Sequence, residues 1–140
     1  MTQALDLVPL EKALASLLLA IERTERERSD DAIDDMLRDS VIQRFEYTYE
    51  LCWKMLKRRL EMDVPSAELI DGMSFREMIR EGAERGMIDD PLAWFEYRQK
   101  RNLTTHTYDE SVAKDVYLAA VAFSHHAQAL LAALLQRNNL

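Results

Sequence analysis

The fold is set largely by residues 37–62, which read LRDSVIQRFEYTYELCWKMLKRRLEM. Apolar side chains return along this segment every three or four residues, which is the period of one face of an α-helix. We predict a helix from Ala32 to Met62, and a helix of this length measures about 45 Å and needs several partners. On its polar face, Glu50 and Lys54 stand in the favourable order for an ion pair. The apolar face consists of Leu37, Val41, Phe45, Tyr49, Cys52, Leu56 and Leu60.

Two helix starts are marked in the second half of the chain. Ser74-Phe75-Arg76-Glu77 is a capping box, so a short helix is expected to open there and to stop at Gly86. Asp89-Asp90-Pro91 predicts the start of a third main helix, because Asp is a good cap and Pro suits the first turn. We expect this helix to run to Asn102 or Thr104.

The first and last main helices lie towards the two ends of the chain. The first is expected to begin near Pro9, and residues 29–31 (Ser-Asp-Asp) are candidate caps for the long helix that follows it. The last is expected to be capped by Asp109 and to fray after Gln136. Four main helices and one short helix, joined by modest loops, predict an all-α, antiparallel (up-down) four-helix bundle.

Composition fits one domain over residues 1–140. Three Gly and three Pro are few for this length, which argues against turn-rich β folds. The single cysteine, Cys52, excludes an intrachain disulfide and a Cys-based zinc site, and we predict no metal, no cofactor and a cytoplasmic location. We find no apolar stretch that approaches a membrane span and no signal peptide pattern. The net charge of −7 disfavours broad, sequence-blind adhesion to nucleic acid.

Residues 98–108, which read RQKRNLTTHTY, reverse the sign of the charge against this acidic background. One interpretation is structural, because cations in the last turn of a helix offset its negative end. The other is chemical. A histidine such as His106 can take a proton from a ribose 2′-hydroxyl or return one to a leaving oxygen. A nearby arginine such as Arg101 can hold the scissile phosphate and stabilise its developing charge.

That chemistry needs two acid-base groups, and one histidine supplies only one. Two copies of the motif that meet across a dimer axis would provide both. A homodimer is also favoured because the last helix carries apolar residues off its main stripe. These residues are Leu118, Val121, Ala122 and Ala129.

Three blocks of the sequence resemble one known family. Residues 101–108, RNLTTHTY, resemble the R-N-x-x-x-H-x-Y motif of HEPN domains, specifically of HepT-like toxins and nucleotidyltransferase substrate-binding proteins. Residues 45–54, FEYTYELCWK, resemble the long-helix signature of the same group, with Cys52 where Ala is more usual. Residues 74–81, SFREMIRE, resemble its S-x-R-E-x-I-R-E segment, with Phe75 where Pro often stands. The blocks follow the family's order, and the resemblance covers roughly residues 10–135.

The resemblance implies a HEPN-like bundle that dimerises so that two motifs face one cleft. It implies that Arg101 and His106 carry metal-independent RNA cleavage in a toxin–antitoxin pair, with Asn102 supporting the geometry of the site. It also implies a small nucleotidyltransferase as partner and antitoxin, which in some pairs transfers AMP to the tyrosine of the motif, here Tyr108. Arg98 and Lys100, cations of the same segment, are candidate substrate-binding residues.

Two alternatives stay open. The first is a non-catalytic subunit that presents a substrate to the nucleotidyltransferase, and the second is a structural bundle whose motif only packs the dimer. Outside the motif, His125 and His126 point about 100° apart on a helix, which indicates packing or a dimer contact rather than a metal site. Tyr47, Tyr49 and Trp53 suit either a platform for a nucleobase or, more simply, core and interface positions.

Overall fold

The computed structural model describes residues 4–27 and 31–139, without the side chains of residues 31–33. Over these residues the chain forms six α-helices, one 3-10 turn and no strand. The all-α class is therefore confirmed, with one more short helix than the sequence predicts. The elements are α1 (Val8–Arg26), α2 (Asp31–Asp63), α3 (Ala67–Asp71), α4 (Phe75–Glu84), α5 (Pro91–Asn102), the 3-10 turn η1 (Thr104–His106) and α6 (Glu110–Asn138).

The unpredicted helix is α3, which has only five residues. Ile70 is its one buried residue, and its N-cap Ser66 makes no side-chain capping bond. A helix of little more than one turn shows neither an apolar period nor a start signal, so sequence patterns do not reveal it.

The predicted helix starts are confirmed by their capping bonds. Ser74 Oγ accepts from the backbone N–H of Glu77 at 3.2 Å, and the Glu77 carboxylate accepts from the backbone N–H of Ser74 at 3.4 Å. Asp90 and Asp109 cap α5 and α6 without a reciprocal bond: Asp90 accepts from the backbone N–H of Ala93, and Asp109 from those of Ser111 and Val112. Gly86 follows the end of α4 with φ of 81°, a left-handed conformation that glycine adopts without strain. The candidate caps at residues 29–31 lie outside the described side chains.

The end of α6 differs from the prediction, because the helix continues past Gln136 to Asn138. Side-chain bonds hold its polar tail. Asn138 Oδ1 accepts from the backbone N–H of Leu5, and Asn138 Nδ2 donates to the carbonyl of Leu5, both at 2.9 Å. Arg137 Nη1 lies 3.1 Å from Asp63 Oδ2. The last turn therefore ties the two ends of the chain together.

Contacts between helices fix their directions. Arg38 Nη1 lies 2.6 Å from Glu110 Oε1 where α2 and α6 start, and the Arg137–Asp63 pair joins their ends, so these two helices run parallel. The Leu5–Asn138 bonds place the start of α1 at the end of α6. Helix α5 runs against α6, because Lys100 shares a groove with Asp115 near the start of α6 whereas Tyr97 bonds His126 further along it. The four main helices α1, α2, α5 and α6 thus alternate in direction along the chain, and α2 contacts each of the other five helices.

The core is built around α2 and α6. Phe123 of α6 is fully buried, with its ring centroid 5.2 Å from that of Phe45, 5.7 Å from Trp94 and 6.1 Å from Tyr49. The predicted apolar face of α2 is buried except for Leu37, which is half-buried, and Cys52 on that face is fully buried.

Within the described residues one helix, α6, is long and apolar enough by length and composition to cross a membrane, which differs from the expectation that no apolar stretch approaches a membrane span. A third of its most apolar window is buried inside the bundle. A core helix of a bundle can pass the same test, and α6 contacts α1, α2 and α5.

Candidate functional site

The connection between α5 and α6 carries the basic motif and is tightly folded. Arg101 and Asn102 end α5, His106 ends η1, and Tyr108 stands just before the α6 cap Asp109. Three backbone hydrogen bonds, each to the residue three positions earlier, fold this connection. The N–H of Leu103 donates to the Lys100 carbonyl at 3.0 Å, that of His106 to the Leu103 carbonyl at 2.9 Å, and that of Asp109 to the His106 carbonyl at 3.1 Å. Successive backbone bonds of this kind hold the motif residues in one corner of the bundle.

Arg101 is fixed by two carboxylates of α2. Its Nε donates to Glu50 Oε1 at 2.7 Å, and its Nη2 lies 3.6 Å from Glu46 Oε1. The other oxygen of Glu50, Oε2, accepts from Trp53 Nε1 at 3.1 Å, so both oxygens of this carboxylate are hydrogen-bonded. The Arg101 side chain keeps 30% of its surface exposed. Among the described residues no hydrogen bond engages its two outer nitrogens, which leaves donors for a ligand.

Arg98, Arg101 and Asn102 lie together along one cleft of about 320 Å³, which we call the Arg101 cleft. Residues of α2, α3, α4 and α5 form its walls. Arg98 lies over the Phe75 ring, with its guanidinium carbon 4.4 Å from the ring centroid. The cleft is lined by Tyr49, Glu50, Trp53, Lys57, Ile70, Asp71, Met73, Ser74, Phe75, Met78, Arg98, Arg101 and Asn102.

His106 and Tyr108 lie outside the lining of this cleft. Both side chains are exposed, Tyr108 by 86%, and their ring centroids are 6.0 Å apart in an edge-to-face arrangement. In the part of the chain that the structure describes, no hydrogen bond joins Arg101 to His106. Within one copy, Arg101 therefore lies at the cleft, whereas His106, five residues later, is exposed to solvent outside it.

Lys100 is separated from the other cations of its segment. It lines a different groove, between α5 and α6, together with Tyr97, Asp115 and Leu118. Successive helix positions turn by about 100°, so Lys100 points about 200° away from Arg98 while Arg101 and Asn102 return to the side of Arg98. The structure thus groups Arg98 with Arg101 and sets Lys100 apart.

Glu50 and Trp53 are site residues that sequence reasoning did not single out for this role. Glu50 and Lys54 form a favourable i, i+4 pattern, yet the Glu50 carboxylate bonds Arg101 and the Trp53 indole instead. Helical spacing identifies neighbours on one helix, whereas the partner here comes from α5. The only sequence signal is that Glu50 and Trp53 lie within the block that resembles the family's long-helix signature.

The two histidines of α6 differ, because His126 packs inside the bundle and His125 does not. His126 Nδ1 lies 2.6 Å from the Tyr97 hydroxyl, and His125 is exposed. Burial raises the pKa of Tyr97 to about 12. Among the described residues, no three His, Cys, Asp or Glu side chains form a group that can hold a metal ion.

Comparisons with known proteins agree with this architecture. The family model described as "Nucleotidyltransferase substrate binding protein like" matches residues 5–136. The chain is 36% identical to a Haemophilus influenzae protein named probable ribonuclease HepT, over 99% of this chain and 97% of that one. A solved structure of an H. influenzae protein, described as the fold of a substrate binding domain of a nucleotidyltransferase, superposes with a TM-score of 0.86 at 34% identity, covering 92% of this chain and 98% of that one. A crystal structure from Thermus thermophilus gives a TM-score of 0.70 at 31% identity, covering 89% of this chain and 98% of that one.

Proposed function

Because the chain belongs to the nucleotidyltransferase substrate binding protein-like family, we propose that it is a HepT-like toxin: a metal-independent endoribonuclease neutralised by a partner nucleotidyltransferase. The proposal rests on the orientation of Arg101 and the exposure of His106. Arg101 is oriented by Glu50 with outer donors left over, and His106 is exposed five residues later. A motif that only packed the fold would bury these groups or saturate them.

The proposed reaction assigns one step to each group. His106 takes the proton of a ribose 2′-hydroxyl, and the 2′-oxygen attacks the adjacent phosphorus. The bond from phosphorus to the 5′-oxygen breaks, which leaves a 2′,3′-cyclic phosphate. Arg101 donates hydrogen bonds to the phosphate oxygens as their negative charge grows. The leaving 5′-oxygen receives a proton from the histidine of a second copy.

The proposal therefore includes a homodimer, in a cytoplasmic setting where RNA is available. An apolar surface suited to self-association runs along α6, where Leu118 is 57% exposed and Ala122 and Ala129 are also exposed. Burying such a surface against a second copy would remove apolar area from water.

Tyr108 is the proposed site of neutralisation. Its hydroxyl would attack the α-phosphate of ATP in the partner enzyme, with pyrophosphate leaving and AMP joined to the tyrosine oxygen. The 86% exposure of Tyr108 leaves room for an enzyme to reach it. The ring centroids of Tyr108 and His106 are 6.0 Å apart, so AMP on this tyrosine would place a bulky anion next to the histidine, where it would block and repel an RNA phosphate.

The cleavage reaction is tested by expressing the chain without its partner. We expect slowed growth and degraded cellular RNA, and we expect His106→Ala to abolish both effects. Lys12→Ala removes an exposed side chain of α1, outside the motif and outside the apolar surface of α6, and serves as the control, so it should stay toxic. Equal toxicity of His106→Ala and wild type would reject catalysis by this residue.

Neutralisation is tested by mass spectrometry after incubation with the partner and ATP. Each transferred AMP adds about 329 Da. Tyr108→Phe should show no added mass, whereas Tyr47→Phe, which changes another exposed tyrosine, should be modified like wild type. A mass gain that survives in Tyr108→Phe would place the modification elsewhere.

A second candidate function is a non-catalytic subunit that presents a substrate to the nucleotidyltransferase. The observation that favours it is the Arg101 cleft, which offers aromatic walls and cations to a small ligand. This function predicts a stable complex that modifies a third molecule and that works as well with His106→Ala as with wild type.

A further inference from the structure

One polar group at the Arg101 cleft lacks a partner. Tyr49 lines the cleft, is only 2% exposed, and its hydroxyl is buried with no hydrogen-bond partner among the described residues. A buried polar group without a partner costs free energy, and such groups are rare in native proteins. Burial also raises the pKa of Tyr49, so the hydroxyl stays protonated and can donate. A ligand in the cleft that carries a hydrogen-bond acceptor would satisfy it.

The walls of the cleft suit a flat, aromatic ligand. Trp53 is half-buried, and its indole is oriented by the bond from Nε1 to Glu50. On the α4–α5 side, the guanidinium of the exposed Arg98 lies over the Phe75 ring, which helps to hold it at the cleft. Indole rings and guanidinium planes are the surfaces on which nucleobases stack in single-stranded nucleic acid complexes.

The charge of the cleft suits a phosphate beside such a base. Its lining contains three cations, Lys57, Arg98 and Arg101, against two carboxylates, Glu50 and Asp71. The lining is thus net positive in a chain whose formal net charge is −7. Lys57 is paired with Asp71 at 3.1 Å and Arg101 with Glu50 at 2.7 Å. Arg98 has no ion pair among the described residues, so its charge is available to an anion.

We propose that the Arg101 cleft is a subsite for one unpaired nucleotide, whose base stacks on Trp53 and accepts a hydrogen bond from Tyr49 while its phosphate faces Arg98 and Arg101. The inference rests on the proposed function for its preferred ligand, a nucleotide of the RNA strand next to the scissile phosphate. A free mononucleotide offers the same chemistry. If the strand supplies it, the subsite gives the enzyme a preference for a particular base.

The test is binding of fluorescent 2′-O-methyl oligonucleotides, one for each base, measured by anisotropy. The methyl group blocks the attacking hydroxyl, so the wild-type protein binds these probes without cleaving them. AMP and ribose 5-phosphate are added as competitors. We expect one base to bind best and AMP to compete better than ribose 5-phosphate, which lacks a base. Direct binding of AMP is also measured by titration calorimetry. If AMP binds and the oligonucleotides do not, the subsite serves a free nucleotide.

Two matched pairs of variants locate the site. Tyr49→Phe removes only the hydroxyl and should weaken binding of the preferred base by about twofold to tenfold, without lowering the thermal midpoint, because the unpartnered group is gone. Tyr47→Phe deletes a hydroxyl on the same helix outside the cleft and should bind normally. Arg98→Gln should weaken binding of every probe, whereas Lys100→Gln removes a charge that lines another groove and should have a smaller effect.

The possible failures can be told apart. Equal binding of all four bases and of ribose 5-phosphate, or no effect of Tyr49→Phe, overturns the subsite even if the protein cleaves RNA through His106. Binding that depends on Tyr49 in a protein that cleaves no RNA leaves the subsite standing and overturns the ribonuclease. If neither probes nor AMP bind, the cleft is not a nucleotide site.

Discussion

Replacing Glu50 with Gln tests whether Arg101 is a positioned catalytic group. The carboxylate accepts from Arg101 Nε at 2.7 Å and from Trp53 Nε1 at 3.1 Å, whereas the amide of Gln keeps only one oxygen for these two donors. Because the side chains of Arg101 and Glu50 are 30% and 29% exposed, solvent screens the pair, and its loss should cost about 0.5–1 kcal/mol of unfolding free energy. That corresponds to a fall in melting temperature of about 4 °C or less.

The catalytic effect should be larger than the effect on stability. A guanidinium that can rotate no longer presents its donors where the phosphate charge develops, and small misplacements of this kind cost large factors in rate. We expect kcat to fall about tenfold. KM for RNA should not rise, because the substitution removes a negative charge beside the phosphate site. The assay is steady-state cleavage of a fluorogenic oligoribonucleotide, with the melting temperature measured on the same samples.

Glu46→Gln is the matched control. Glu46 lies one helical turn from Glu50 and reaches Arg101 only at 3.6 Å, which is an ion pair without a hydrogen bond. Its loss should change kcat less than twofold. Unchanged kcat in Glu50→Gln, or equal losses in the two variants, would refute the argument that Glu50 orients Arg101.

Two further predictions concern stability. Tyr97→Phe removes the 2.6 Å bond to His126 and should lower the unfolding free energy by about 0.5–1.5 kcal/mol in urea titrations. The pKa of Tyr97 is raised to about 12 in the folded chain, above the value of about 10 expected in the unfolded chain. The contribution of Tyr97 to the unfolding free energy is therefore complete below about pH 10 and is lost as the pH rises towards 12. Tyr97→Phe should reduce this loss of stability at alkaline pH, and an identical pH profile of the variant and wild type would contradict the prediction. Gly82→Ala places a Cβ 3.0 Å from Ile88 Cγ1 and should cost about 1–3 kcal/mol by calorimetry, whereas the new Cβ in Gly72→Ala meets its first neighbour only at 3.5 Å and should be nearly neutral.

The main features of the fold could be predicted because they depend on local patterns. The apolar period of α2, the Ser74–Glu77 capping box and the Asp90 and Asp109 caps all act within one or two helical turns, and the structure confirms them. The extension of α6 could not be predicted, because Asn138 is held by Leu5 at the other end of the chain. Bonds between residues that are distant in sequence leave no local pattern.

The candidate site divides in the same way. The motif from Arg101 to Tyr108 is contiguous, so its residues could be named from the sequence, and their roles remain a proposal. The carboxylate that orients Arg101 lies on another helix, and the grouping of Arg98 with Phe75 depends on how α4 packs against α5. The separation of Lys100 from Arg98 follows from helix geometry alone and could have been derived in advance.

Because Cys52 is buried, its reactivity can be used to measure local opening of the bundle. The thiol is the only one in the chain, has no accessible surface, and has its pKa raised by burial, so reagents that need a thiolate cannot reach it in the closed bundle. The rate at which Cys52 is alkylated under native conditions therefore reports how often the bundle opens around α2, and no label has to be added. Comparing the alkylation rate with and without nucleotide would show whether a ligand in the Arg101 cleft slows local opening around α2.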